Sequence, residues 1–390
     1  MSRLSAAAGA ELITFAGGMP NALTFPLKEL AEIAASEIAG HGGRNLQYGP
    51  TAGYRPLVKW IHEYAAKKGI TAQIDDIICT TGSQQAIDLI AEVLIDPGDT
   101  IFVEVPTYVG ALSVFYKSGA RIVPVRQDTD GIDLQDLEKK LAETPEGGHK
   151  LIYLITNFQN PSGISLTEER RKRLPDLLRK YDAYLIEDDP YGEIYFGEEN
   201  KPPAPVKHFD DERVLYLGTF SKLIAPTFRT GWVIASGDLA RKIELAKEAA
   251  DLCGSMFDQR IVYRYCSSPG FDDHLVSLRL FYRQRAVAMV DALARYMPDE
   301  VTWTHPKGGF FLWLTLPENL DPERFLDECI SEQKVSFIIG RAFICDDSGN
   351  HFLRLAFSVE SPERIEEGVK RLAGLIKQRN EKETKTARFD

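Results

Sequence analysis

Apolar positions along the chain follow two periods. Mostly apolar runs at 77–80, 101–104, 121–125, 151–155, 184–187, 214–218 and 231–235 end in glycine, proline or polar clusters and read as buried strands. Between them, apolar residues three and four apart predict helices over 26–38, 55–68, 81–94, 108–116, 134–142, 168–180 and 239–252. This alternation predicts an α/β fold around a mostly parallel, doubly wound sheet, with sites beyond the carboxyl ends of the strands. After residue 270 the pattern changes. A polar-faced helix over 274–296 reads as a connector, followed by an alternating strand at 310–316, a helix at 322–332, strands at 335–339 and 352–357, and a closing helix at 362–379. Strands separated by helices there suggest a compact α+β second domain, and the charged tail 380–390 is expected to fray.

Composition narrows the class. A chain of 390 residues, 44% hydrophobic and 26% charged, buries a sizeable core and suits one large and one small domain. Its net charge of −11 argues against a nucleic-acid partner, which calls for a basic face. No apolar run approaches the roughly 20 residues of a membrane helix, and the opening MSRLSAAAGAELITF has no signal-peptide pattern. Five scattered cysteines and seven histidines show no CxxC or HExxH, so no metal is expected, and a reducing cytoplasmic setting is the default.

The candidate chemistry sits at the strand ends. Strand 77–80 runs into Thr81-Gly82-Ser83-Gln84-Gln85, a glycine followed by a donor-rich helix N-terminus, which is a ready anion site. Read alone, Ser83 is equally a helix cap. Tyr108 follows the next strand and is placed to stack on a flat ring; Asn160 follows another in Asn160-Pro161-Ser162-Gly163. Asp188 lies at the mouth of a buried strand, where a carboxylate is costly unless it faces positive charge, and Tyr191 comes three residues later. Between strands 214–218 and 231–235 lie Thr219, Ser221, Lys222 and Arg229. A lysine in such a loop more often snorkels to the surface, but a desolvated one is a Schiff-base nucleophile, with Arg229 and the hydroxyls holding an anion. Arg354, inside an apolar strand, needs a carboxylate or a polar face. Tyr48 and the Gly17-Gly18 turn read as packing and turn residues unless a ligand lies near them. Together the anion cradle, ring-stacking aromatic, carboxylate, lysine and arginine match the needs of pyridoxal 5'-phosphate.

The motifs TGSQQAIDLI, NFQNPSG, EDDPY, TFSKLIAPTFRTGW, PKGGFFLW and FLRLAFS, in this order, resemble the fold-type I, class I/II aminotransferases. The likeness is nearest to the 2-aminoadipate, kynurenine and aromatic aminotransferase subgroup and covers Phe15 to about Ile376. It implies an aspartate aminotransferase fold with a seven-stranded sheet in a large domain at 26–270, a small domain at 271–390, and an N-terminal segment, 1–25, packing with the small domain. It further implies Lys222 as cofactor attachment point and proton shuttle, Asp188 on the pyridine nitrogen, and Tyr191 and Asn160 on the ring oxygen. By the same likeness Ser83, Gln84, Thr219, Ser221 and Arg229 bind the phosphate, Tyr108 stacks on the ring, Arg354 and Asn160 take the substrate α-carboxylate, and Gly18 lines the substrate site. Tyr48 matches a tyrosine lent to the neighbouring subunit's phosphate, which implies a homodimer. The expected reaction is ping-pong transfer of an amino group from an L-amino acid of 2-aminoadipate, aromatic or branched-chain type to an α-keto acid such as 2-oxoglutarate. A C–S β-lyase of the same fold and a non-enzymatic regulatory domain are the alternatives. Two departures bear on specificity. The segment before FAGGMP is short, and Arg3 reads as a frayed, solvated arginine rather than a remnant reader of the side chain; Arg341 stands where relatives carry proline-glycine, either an outward-facing rim arginine or a candidate for a distal carboxylate.

Overall fold

The computed structural model describes residues 11–40, 43–145, 147–346 and 351–386, with side chains through residue 380. The strands are β1 (Ile13–Thr14), β2 (Ile77–Thr80), β3 (Thr100–Val105), β4 (Arg121–Asp128), β5 (Gly131–Ile132), β6 (Lys150–Ile155), β7 (Ala183–Asp188), β8 (Val214–Thr219), β9 (Gly231–Ile234), β10 (Thr302–Trp303), β11 (Phe311–Thr315), β12 (Val335–Ser336), β13 (Ile338–Ile339) and β14 (Phe352–Ala356).

The main sheet has the order β2-β9-β8-β7-β6-β3-β4-β5. Strands β4, β3, β6, β7 and β8 run parallel, β9 is reversed against both β8 and β2, and β5 returns antiparallel on β4. The seven expected strands are all present. The eighth, β5, is a two-residue return after the turn at Asp128–Gly131, too short to show a period in the sequence. Strands β2, β6, β8 and β9 are buried on both faces almost throughout because helices cover both sides, which is why they read as continuous apolar runs.

The smaller sheet, β10-β11-β14-β13, is antiparallel. Here the sequence reading needs correction. The strand expected at 335–339 is two strands in two sheets: β12 pairs in parallel with β1, while β13 pairs with β14. Strand β11 is buried on both faces over Phe311–Leu314 and so does not alternate. The helix expected over 322–332 gives way after Glu328 to a π turn over Cys329–Gln333. The closing helix runs Pro362–Thr386, past the expected fraying point. A helix at Met256–Cys266, absent from the sequence reading, precedes the long helix Gly270–Tyr296. The N-terminal residues are stitched to the closing helix and the smaller sheet: Arg364 Nη2 donates to the Leu12 carbonyl, and Ala356 N to that of Phe15.

Candidate active site

A cavity of about 300 Å³ opens at the carboxyl ends of β2, β3, β6, β7 and β8, as the doubly wound topology requires. Its lining includes Gly18, Ser83, Gln84, Tyr108, Asn160, Asp188, Tyr191, Thr219, Ser221, Lys222, Arg229 and Arg354. The structure therefore gathers every cofactor and α-carboxylate residue that the resemblance implied except Tyr48, which is 81% exposed in a separate surface groove with Gln47 and Phe257. Arg341 also lies elsewhere, exposed, 3.6 Å from the Glu323 carboxylate. Arg3 falls outside the described residues. Ile155, Pro190 and Pro226 line the cavity as well. Nothing in their type marked them, although Ile155 ends a strand and Pro190 follows one, so the strand-end rule points to both.

The anion cradle is built from backbone as much as side chains. The helix Gly82–Leu94 opens directly after β2 with Ser83 and Gln84 in its first turn. Thr81, not Ser83, occupies the cap position, which leaves the Ser83 hydroxyl unclaimed by capping. Gly82 has φ of +73°, and a Cβ there would fall 2.6 Å from Arg229 Nη2, so only glycine lets the arginine close over the helix end. Across from it, Ser221 N donates to Thr219 Oγ1 at 3.1 Å, and Thr219 Oγ1 lies 3.0 Å from Ser221 Oγ. Tyr108 caps the helix Val109–Lys117, and its hydroxyl donates to Gln84 Oε1 at 3.3 Å.

Asp188 ends β7 with its side chain buried. One carboxylate oxygen accepts from the Tyr153 hydroxyl at 2.8 Å; the other, Oδ1, has no hydrogen-bond partner among the described residues. No cation pairs with it there, contrary to what its placement in the sequence suggested. Burial pushes its pKa up to about 7, against the Tyr153 hydrogen bond and aided by the charge of Asp189. A buried carboxylate oxygen left without a donor is costly, and an N–H donor on a ligand in the cavity would satisfy it.

Lys222 is half-buried after β8, and its Nζ donates to the Gly18 carbonyl at 3.1 Å. Burial, then the charges of Arg229 and Arg354, lower its pKa to about 8, which leaves much of the amine neutral and nucleophilic near pH 8. Arg354 is buried in β14. Nη1 donates to Asn160 Oδ1 at 2.9 Å and Nη2 to the Ala16 carbonyl at 2.6 Å, while the guanidinium stacks over Phe311 and Phe343. Its polar partners are thus an amide oxygen and a carbonyl, and among the described residues no carboxylate pairs with it. Its Nε has no partner among the described residues, and burial lowers its pKa to about 10. The cavity lining thus carries three cationic side chains against one carboxylate, a balance that calls for a polyanionic ligand. Tyr191, buried edge-on against Phe310 and Phe311, has a phenol pKa raised by burial.

These groups fit pyridoxal 5'-phosphate: an orphaned carboxylate oxygen for a protonated ring nitrogen, a helix end closed by an arginine for the phosphate, and a neutralisable lysine for the aldehyde. The fold and the site define a pyridoxal-phosphate enzyme. A profile described as aminotransferase class I and II matches residues 12–372, and the chain belongs to that family. Family membership makes pyridoxal 5'-phosphate its cofactor and transamination its reaction.

The chain is 41% identical to aromatic-amino-acid aminotransferase 1 of Thermococcus litoralis, over 95% of this chain and 89% of that one. It is 36% identical to an uncharacterized HTH-type transcriptional regulator, YdcR, of Escherichia coli, over 96% of this chain but 79% of the regulator. Its structure superposes with a TM-score of 0.88 on the alpha-aminoadipate aminotransferase LysN of Thermus thermophilus complexed with N-(5'-phosphopyridoxyl)-L-leucine. That match is at 35% identity and covers 96% of this chain and 94% of the other.

Proposed function

We propose that this aminotransferase takes aromatic amino acids, 2-aminoadipate and branched-chain amino acids as donors and 2-oxoglutarate as acceptor, in a ping-pong cycle. The supporting likenesses are to an aromatic enzyme and to an aminoadipate enzyme holding a leucine adduct. The observation that carries the chemistry is Lys222, with its lowered pKa, sharing one cavity with the orphaned oxygen of Asp188 and the unneutralised Arg354. When bound, the cofactor supplies the aldehyde that accepts the amino group and a ring that delocalises the electrons left at the substrate's Cα.

Ser83, Gln84, Thr219, Ser221 and Arg229 would hold the phosphate, Tyr108 the face of the ring, Asp188 its nitrogen, and Tyr191 and Asn160 its ring oxygen. Arg354 binds the α-carboxylate of each substrate in turn, with its planar fork fixed between Phe311 and Phe343 and anchored by Asn160. Lys222 is the attachment point and the base that moves the Cα proton; the Gly18 carbonyl gives its amine a fixed resting place.

We also infer a homodimer in which Tyr48 reaches the partner's phosphate site. Tyr48, Leu46 and Leu27 are all more than half exposed on one chain, which fits a face covered by a second copy. Five free thiols fit the cytoplasm.

The test is a half-reaction with purified holoenzyme and no acceptor. Tyrosine, 2-aminoadipate and leucine should discharge the cofactor's visible absorption and yield the matching keto acids, and K222A should do neither. A band left unchanged by all of these, and by glutamate, aspartate and kynurenine, would sink the reading.

A further inference from the structure

We propose that Tyr153 is a positioning residue that aims Asp188 at the cofactor's ring nitrogen; this rests on Asp188 being the group that faces that nitrogen. The geometry sits one rung below the cavity floor. On the parallel pair β6–β7, Ile155 is opposite Asp188 and Tyr153 is opposite Ile186, so Tyr153 shares its strand face with Ile155, a lining residue. The Tyr153 hydroxyl is fully buried and donates to Asp188 Oδ2 at 2.8 Å, leaving Oδ1 as the bare oxygen.

The ring is packed on the side away from that bond. Phe115, also fully buried, meets it edge-on at 5.5 Å and 70°, from the helix Val109–Lys117 that Tyr108 caps. One helix therefore presents the ring-facing tyrosine at its start and locks the hydroxyl behind Asp188 in its last turns. A carboxylate with one oxygen tied has one orientation to offer, and its free lone pairs are directed at the ligand before binding rather than after. The same bond favours the ionised form, which is the form that keeps a ring nitrogen protonated.

The test is a double-mutant cycle read by the dissociation constant of pyridoxal 5'-phosphate titrated into apoenzyme, with the ring-nitrogen NMR shift of the holoenzyme as the second readout. Losing one hydrogen bond to a charged group, Y153F should weaken binding about tenfold and move the ring-nitrogen resonance toward unprotonated pyridine. In a D188N background, Y153F should change the constant less than about twofold, because the group it acts through is gone. Equal losses in both backgrounds would show packing alone and overturn the proposal, as would Y153F binding as tightly as wild type. D188N binding as tightly as wild type would instead overturn the reading of Asp188 itself. Should Y153F not fold, F115L, which frees the ring but keeps the hydroxyl, should weaken binding about threefold with Asp188 present and leave D188N unchanged; equal losses would overturn the proposal.

Discussion

Asp188 and Asp189 are chain neighbours with opposite electrostatics. Asp188 faces the cavity with one bare oxygen and a pKa raised by burial to about 7. Asp189 points to the other side of the strand end. Its oxygens accept from Asn157 Nδ2 at 2.8 Å, Gly192 N at 3.0 Å and Tyr216 OH at 2.6 Å, with Lys68 Nζ at 3.2 Å. Burial alone would raise Asp189, but Lys68 and these donors hold it below the usual carboxylate range. The strand's alternation puts one carboxylate at the ligand and the other into its foundation.

Breaking that foundation should be expensive. K68M leaves Asp189 buried without its cation, and because Lys68 is partly exposed we expect a loss of about 2–3 kcal/mol, below the full cost of a severed buried pair. Urea unfolding at pH 7 measures it. The sign with pH follows from the lowered pKa. Asp189 stabilises the fold fully above the unfolded value of about 3.9, and that stability is lost as pH falls through the folded value, so K68M and wild type should converge in acid.

Glu104 titrates in the other direction. It is buried in β3, and burial raises its pKa to about 7 despite hydrogen bonds from Gln127, the Ile155 amide and Gln159. A raised carboxylate contributes stability that is whole below the unfolded pKa of about 4.3 and lost as pH rises through the folded one. E104Q should therefore remove part of the decline expected of wild type between pH 5 and 8, and gain about 1–2 kcal/mol at pH 8. Denaturant midpoints across that range decide it.

Arg354 should not tolerate lysine. R354K keeps the charge but loses the fork and the stacking on Phe311 and Phe343. Losing a bidentate carboxylate pair should raise KM about 10–100-fold for amino donor and keto acid alike. Steady-state kinetics in both directions read this, and a rise for the donor alone would contradict a shared carboxylate site.

The same arginine depresses the Lys222 amine, together with burial and Arg229. In apoenzyme, acetylation of Lys222 followed by mass spectrometry should show half-maximal reactivity near pH 8 in wild type, and at higher pH in R354M, because a neighbouring positive charge is gone.

At the helix end, G82A should separate cofactor binding from folding. The added methyl meets Arg229 at 2.6 Å and forces a side chain into φ of +73°. Affinity for pyridoxal 5'-phosphate should fall at least about tenfold, while unfolding loses about 1–2 kcal/mol.

Much of this was legible in one dimension. Buried parallel strands are apolar on both faces, so their runs stood out, and the strand-end rule converted run boundaries into site candidates at Ser83, Tyr108, Asn160, Asp188 and Lys222. Short-range chemistry was legible too, since a lysine among Thr219, Ser221 and Arg229 is unusual by composition alone. Three things were decided only by tertiary structure. Val335–Ile339 is one apolar run, yet β12 and β13 serve different sheets, because pairing depends on which edges are free nearby and not on the run itself. Arg354 is held, among the described residues, by an amide oxygen, a carbonyl and two rings rather than a carboxylate, because Asn160, Ala16, Phe311 and Phe343 come from separate stretches that only packing brings together. Tyr153 looked like any strand aromatic until β6 and β7 paired in register, since hydrogen-bond distance is a property of space and not of spacing.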